Sequence, residues 1–126
     1  MSAHQIFFHI AWTTRDRAPM IDAAAARFLD SYFRKIIVSE RAALVGVAIL
    51  RTHVHLVLRT QPHFDLPRLV QALKGGSSYQ VNRIPGNLLG LRWGREYSVT
   101  SISPRHVPRV LRYLDEQGAH HPGEAV

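Results

Sequence analysis

The sequence predicts an α+β fold of order β-α-β-β-α-β, closed by one further helix. Three observations carry that expectation. Runs rich in β-branched and aromatic residues at 5–14, 44–50, 53–59 and 97–102 read as strands. Apolar residues at helical spacing follow the first and third of these runs. Proline and glycine fall between the runs, where chain reversals are needed.

Taken in order, Gln5 to Thr14 forms the first strand, and Arg15 to Met20, with Pro19, a loop. Asp22 is placed to cap a helix opened by Ala23–Ala26, in which Phe28, Leu29, Tyr32, Phe33, Ile36 and Ile37 mark an apolar face to about Arg41. Leu44–Leu50, with Gly46 inside it, and His53–Arg59 follow closely enough to pair as a hairpin. A second helix starts at Asp65 or Leu66, with Pro67 in its first turn and Leu66, Leu69, Val70 and Leu73 on one face. Gly75-Gly76-Ser77-Ser78 is expected to loosen or end it, with a possible resumption from Tyr79 to Asn82. Ile84 to Gly94, with Pro85, Gly86 and Gly90, reads as loop, and Tyr97–Ile102 as the fourth strand. After Ser103-Pro104 a last helix is expected from near His106 to Gln117, with Pro108 in its first turn and Gly118 closing it. This order matches the ferredoxin-like, or RRM-like, antiparallel sheet, in which two helices cover one face and the other is left open. Many activities share that plan.

The 126 residues suit a single domain, residues 1–126. No window approaches the roughly 18 uninterrupted apolar residues of a spanning helix, so no membrane partner is expected. Met1 to Thr14 carries no Lys or Arg, unlike a signal peptide. The chain has no cysteine, which excludes disulfides, thiolate metal ligands and a cysteine nucleophile. A cytoplasmic location is the expectation. The formal net charge is +7, but the span from Arg41 to Arg112 alone carries +9, opposed only by Asp65 and Glu96. Fourteen of the sixteen basic residues are Arg, whose planar fork suits phosphate. Such a field attracts polyanions, and a pI near 10.8 is the footprint of a nucleic-acid binder. A solvated basic surface, or Arg-rich codon usage, produces the same composition.

Chemistry concentrates in two places. Along a strand, side chains alternate, so Val54, Leu56 and Leu58 share one face while His53 and His55 share the other. Two such imidazoles can converge on one ion; a pair of half-exposed strand histidines is the plainer alternative. On the last helix, Val107, Val110, Leu111 and Leu114 mark a buried stripe. Tyr113 and Gln117 lie i,i+4 on one flank of it. Tyr113 there is either a boundary residue with a wet hydroxyl or a nucleophile.

Together these residues form a pattern. Thr52-His-Val-His-Leu-Val-Leu58 resembles the HUH motif (His, bulky apolar, His) of single-tyrosine transposases of the small insertion-sequence type. Tyr113-Leu-Asp-Glu-Gln117, followed by His120-His121, is similar to their Tyr-x-x-x-Gln helix. Phe8-His-Ile-Ala-Trp-Thr-Thr-Arg15, Leu73-Lys-Gly-Gly-Ser-Ser78 and Trp93-Gly-Arg-Glu-Tyr-Ser-Val-Thr-Ser101 resemble further landmarks, all in family order. Two departures stand out. Arg51-Thr52 occupies the place where members often carry Pro-Asp. Gln117-Gly118 stands where relatives tied to repetitive extragenic palindromes usually carry Asn-Pro, which favours the insertion-sequence branch.

The resemblance implies cleavage and rejoining of single-stranded DNA through a 5′-phosphotyrosine link, with a free 3′-hydroxyl as the other product. It assigns Tyr113 as the nucleophile and His53, His55 and Gln117 as ligands of one divalent ion, Mg2+ or Mn2+. Magnesium prefers oxygen donors, while imidazole better suits zinc, copper or nickel; a weak, open site completed by phosphate and water admits either Mg2+ or Mn2+. The implied partner is single-stranded DNA carrying a hairpin, and the implied assembly a homodimer in which the tyrosine helix of one chain serves the His pair of the other. Lys74, Arg83, Arg92, Arg95 and Arg105 are candidate phosphate contacts, and Tyr79, Trp93 and Tyr97 can stack on bases or pack in the core. Arg109, one turn before Tyr113, and His106, two turns before, are candidates to assist the phenol. Two alternatives remain at this point. One is a non-catalytic RRM-like module for single-stranded nucleic acid, although such modules carry aromatics where His53 and His55 stand. The other is a domesticated HUH endonuclease acting on repeat hairpins.

Overall fold

A computed structural model describes residues 5–85, 90–117, 123 and 125–126. The elements run β1 (Ile6–Thr13), α1 (Ala23–Ser39), β2 (Ala43–Ile49), β3 (His53–Thr60), α2 (Leu66–Val81), β4 (Ser98–Ile102) and α3 (Val107–Asp115). Short 3₁₀ turns occupy Arg15–Arg17 and Pro104–His106. The strands form one antiparallel sheet in the order β2-β3-β1-β4, which is the expected ferredoxin-like arrangement. Gly86, Gly118 and His120-His121, which the sequence reading used, lie outside the described residues.

Period-two alternation sorts the sheet. Ile10 and Trp12 of β1 and Val54, Leu56 and Leu58 of β3 point to one face and are buried. There they meet Leu29, Phe33 and Ile37 of α1 and Leu69, Val70 and Leu73 of α2. Trp12 packs edge-on against both Phe33 and Trp93, each at 5.7 Å between centroids. Trp93 also donates its indole N–H to Ser77 Oγ at 2.9 Å, so its ring is packed and tethered here.

The helix ends follow local chemistry. The Asp22 carboxylate accepts from Ala25 N at 2.7 Å, as a cap should. At the other end Arg41 takes φ 65°, Ala42 N donates to Ile37 O and Arg41 N to Val38 O. That Schellman pattern stops α1 at Ser39, with Arg41 in the left-handed position where glycine is usual.

Two features depart from the expectation. The Gly75-Gly76-Ser77-Ser78 segment neither ends nor loosens the second helix; α2 runs unbroken from Leu66 to Val81. Gly76 lies directly under the Tyr32 ring of α1, where a Cβ would collide with the phenol, so the glycine permits helix contact. Ser77 and Ser78 turn their hydroxyls back to Lys74 O at 3.2 Å each, which satisfies them within the helix.

Nor is the second face of the sheet wholly open. α3 lies across its β2–β3 half and buries Val57, which points away from the main core. The contact depends on Gly46, whose missing side chain leaves room for Leu111; its ideal Cβ would also stand 3.5 Å from Leu114 and 3.8 Å from Val57. A register shift between Leu44 and Gly46 bends β2 at this point. The β1–β4 half remains uncovered by α3 and forms one wall of a cleft.

Candidate active site

Opposed residues in an antiparallel pair share a face, so the register fixes what surrounds the two strand histidines. His55 stands between Ala48 of β2 and Ala11 of β1, with Ser98 of β4 next in the row. His53 faces Thr13. Small neighbours leave a hollow above the imidazoles. The hollow is a cleft of about 470 Å3, lined among others by His53, His55, Tyr113, Gln117, Arg17 and Tyr97. The four residues that the resemblance assigns thus meet in one place, with α3 of the same chain supplying Tyr113 and the segment just after it Gln117.

The geometry is close. The His53 and His55 rings are 5.0 Å apart and nearly perpendicular. The Tyr113 ring stands edge-on to His55 at 6.3 Å and 87°. Tyr113 is 44 % exposed, so an incoming strand can reach its phenol. Gln117, one turn on, is 1 % exposed. Its amide N–H₂ donates to Tyr113 O at 3.5 Å, while Oε1 is buried with no hydrogen-bond partner among the described residues. An orphaned acceptor of this kind costs roughly 1–3 kcal/mol. A cation beside it would remove the penalty.

Among the described residues no group of three or more His, Asp or Glu gathers to hold a metal. The donor set available is two imidazoles and the Gln117 amide oxygen, which suits a weak, open site. Both imidazoles are engaged on the Nδ1 side. Thr52 Oγ1 shares a hydrogen bond of 3.0 Å with His53 Nδ1, and His9 Nε2 one of 2.9 Å with His55 Nδ1. His53 is buried and His55 half-buried. Burial lowers the pKa of His9 below the ordinary imidazole value, which favours its neutral form.

Two residues of this site escaped the sequence reading. His9 lies on β1 in phase with Ala11 and Thr13; the signal was alternation, but its partner depends on the β1–β3 register. Arg17 enters the cleft from the 3₁₀ turn after β1, where Asp16 and Arg17 both hold positive φ, 56° and 53°. Strain of that kind in non-glycine residues gathers at functional sites. Neither Arg109 nor His106 is among the described lining of the cleft, whereas Arg17 is. His106 instead shares a 3.0 Å hydrogen bond with Ser103 at the start of the last helix.

The candidate phosphate contacts separate into groups. Lys74, Arg92 and Arg95 surround a second groove of about 590 Å3 together with Arg15 and Tyr79. Lys74 is tethered there: its ammonium donates to Gly94 O at 2.7 Å and Glu96 O at 3.3 Å, and burial lowers its pKa. Arg83 lies over the Tyr79 ring at 5.2 Å and donates to its hydroxyl. Arg105 is exposed on the Pro104–His106 turn. Among the described residues, no helix is long and apolar enough to cross a membrane.

The fold brings a His pair, a tyrosine and a glutamine into one cleft, and comparison names the class of protein built this way. The family described as IS200-like transposases matches residues 2–117, and the chain belongs to that family. It is 24 % identical over 119 residues to the ISDra2 transposase TnpA of Deinococcus radiodurans, spanning 90 % of this chain and 85 % of that protein. Among solved structures, a transposase from Deinococcus radiodurans R1 superposes with a TM-score of 0.70 at 24 % identity, covering 92 % of this chain and 93 % of the other. A REP-associated tyrosine transposase bound to a REP hairpin superposes with a TM-score of 0.71 at 13 % identity, covering 96 % and 70 %. Family membership makes DNA the substrate class and strand cutting and transfer the reaction class.

Proposed function

We propose that this transposase cleaves and rejoins single-stranded DNA, with Tyr113 as the nucleophile. The observation that carries the reading is the meeting of Tyr113 and the His53–His55 pair in one cleft beside the orphaned Gln117 oxygen. In the forward step the Tyr113 oxygen attacks phosphorus, loses its proton, and displaces the 3′ oxygen of the neighbouring nucleotide, which leaves as a 3′-hydroxyl. A 5′-phosphotyrosine link remains. The reverse attack by a 3′-hydroxyl on that link restores a phosphodiester and the phenol, so joining needs no external energy source.

His53, His55 and Gln117 would hold a divalent ion, Mg2+ or Mn2+. When bound, it supplies Lewis-acid withdrawal of charge from a phosphate oxygen. The chain's own groups do the rest. Arg17 offers a guanidinium to the phosphate entering the cleft. The α3 contact at Gly46 holds the phenol against the histidines. Tyr97 borders the cleft and also a neighbouring depression that Lys74 and Arg95 share with the basic groove. These overlapping linings make a path for a polyanion from the tyrosine to Arg15 and Arg92, and a hairpin stem is the occupant that the REP-hairpin relative brings to mind. A homodimer belongs to the same proposal.

The test is covalent capture. End-labelled single-stranded DNA from the flanks of the gene, incubated with protein and Mg2+ or Mn2+, should transfer label to the wild-type chain and not to Tyr113→Phe. An adduct that survives Tyr113→Phe, or that never forms on cognate DNA, overturns the assignment.

A further inference from the structure

We propose that His9 is a positioning residue that fixes the tautomer of His55. The proposal rests on the reading of His53 and His55 as metal-holding groups. Its geometric basis is the 2.9 Å contact between His9 Nε2 and His55 Nδ1, with ring centroids 5.1 Å apart. A single proton lies between two neutral imidazoles joined this way. If His55 donates it from Nδ1, the Nε2 of His55 carries a lone pair. If His9 donates it, a neutral His55 has its own proton on Nε2 and cannot ligate there. Only the first arrangement makes His55 a ligand through the nitrogen remote from His9.

The sheet brings the pair together. His9 is opposite Val57, one row and one strand from His55, while the residue opposite His55 is Ala11. The methyl group at position 11 leaves the diagonal open for the two rings to meet. His9 is half-buried, so water competes less for its Nε2. At His53 the Thr52 hydroxyl reaches Nδ1 at 3.0 Å from the adjacent position in the chain and holds the ring's orientation, whichever of the two donates. Each imidazole is thereby gripped at Nδ1 and turned to present Nε2, the arrangement by which outer partners of metal-binding histidines fix ring orientation.

The experiment reads protons directly. In full-length, metal-free protein labelled with 15N-histidine, at about pH 8 where imidazoles are neutral, long-range 1H–15N spectra should show His55 protonated on Nδ1. His9→Phe, which keeps a ring and removes the acceptor, should leave His55 as a mixture of tautomers. His9→Gln, whose side-chain carbonyl can accept, should restore the Nδ1–H form. Mn2+ affinity, measured by the EPR signal of free ion, should fall ~10–100-fold in His9→Phe and recover in His9→Gln, with unchanged circular dichroism in both. A wild-type His55 protonated on Nε2, or a His9→Phe variant with wild-type tautomer and Mn2+ affinity, overturns the proposal. Wild-type protein that binds no Mn2+ yet shows Nδ1–H His55, lost in His9→Phe, upholds the positioning role and overturns the metal reading instead.

Discussion

Gly46 of β2 lies directly beneath Leu111 of α3, so closely that a β-carbon at position 46 would occupy the space of the leucine side chain. This contact seats the helix that carries Tyr113. Gly46→Val favours the strand by propensity but should push α3 outward, costing about 1–3 kcal/mol by overpacking and lowering adduct formation. Leu111→Ala in the same chain should return part of both. Urea midpoints and the capture assay check the pair; wild-type cleavage by Gly46→Val would show that α3 does not need the contact.

Adjacent glycines in α2 should respond with opposite signs. A β-carbon at Gly75 meets nothing within 4 Å, whereas one at Gly76 strikes the Tyr32 ring. Gly75→Ala should therefore stabilise by about 0.5–1 kcal/mol through helix propensity. Gly76→Ala should destabilise despite the same gain, and Tyr32→Leu should relieve it. Equal shifts at the two positions would contradict the packing.

Removal of either strand histidine should separate cleavage from binding. His53→Ala and His55→Ala are expected to abolish cleavage while most affinity for DNA survives, if the basic groove carries that affinity as proposed. Excess EDTA should do the same to wild type. Full cleavage by the double variant, or in EDTA, would remove the divalent ion from the reaction.

Binding should weaken steeply with salt, with a slope near 0.7 per neutralised phosphate for a single strand. Replacing Arg15, Arg92 or Arg95 by Ala should each flatten that slope. Lys74→Met should behave differently, since it also unties the backbone of Gly94 and Glu96: a lower melting temperature should accompany its weaker binding. Fluorescence anisotropy over a salt series, on hairpin-bearing single strands and on duplex, measures all four; equal affinity for duplex would count against the single-strand reading.

Local periodicity was enough to place every strand and the start of every helix within a few residues, because each element's inward face must be apolar at its own repeat; the end of α2 was missed. It also put His53 and His55 on one face at an i,i+2 step, and Tyr113 and Gln117 on one flank at i,i+4, since those relations depend only on backbone geometry. What lies between elements was decided in three dimensions. The unbroken course of α2 depends on Tyr32 filling the space that Gly76 leaves, a contact between helices that overrides the poor propensity of paired glycines. The meeting of tyrosine and histidines depends on how α3 crosses the sheet, which Gly46 sets from 65 residues away in the chain. His9 reached the site through the β1–β3 register and Arg17 through a strained turn, and neither relation has a short-range signature. Side chains distant in sequence acquire a distance only when packing closes the loops between them.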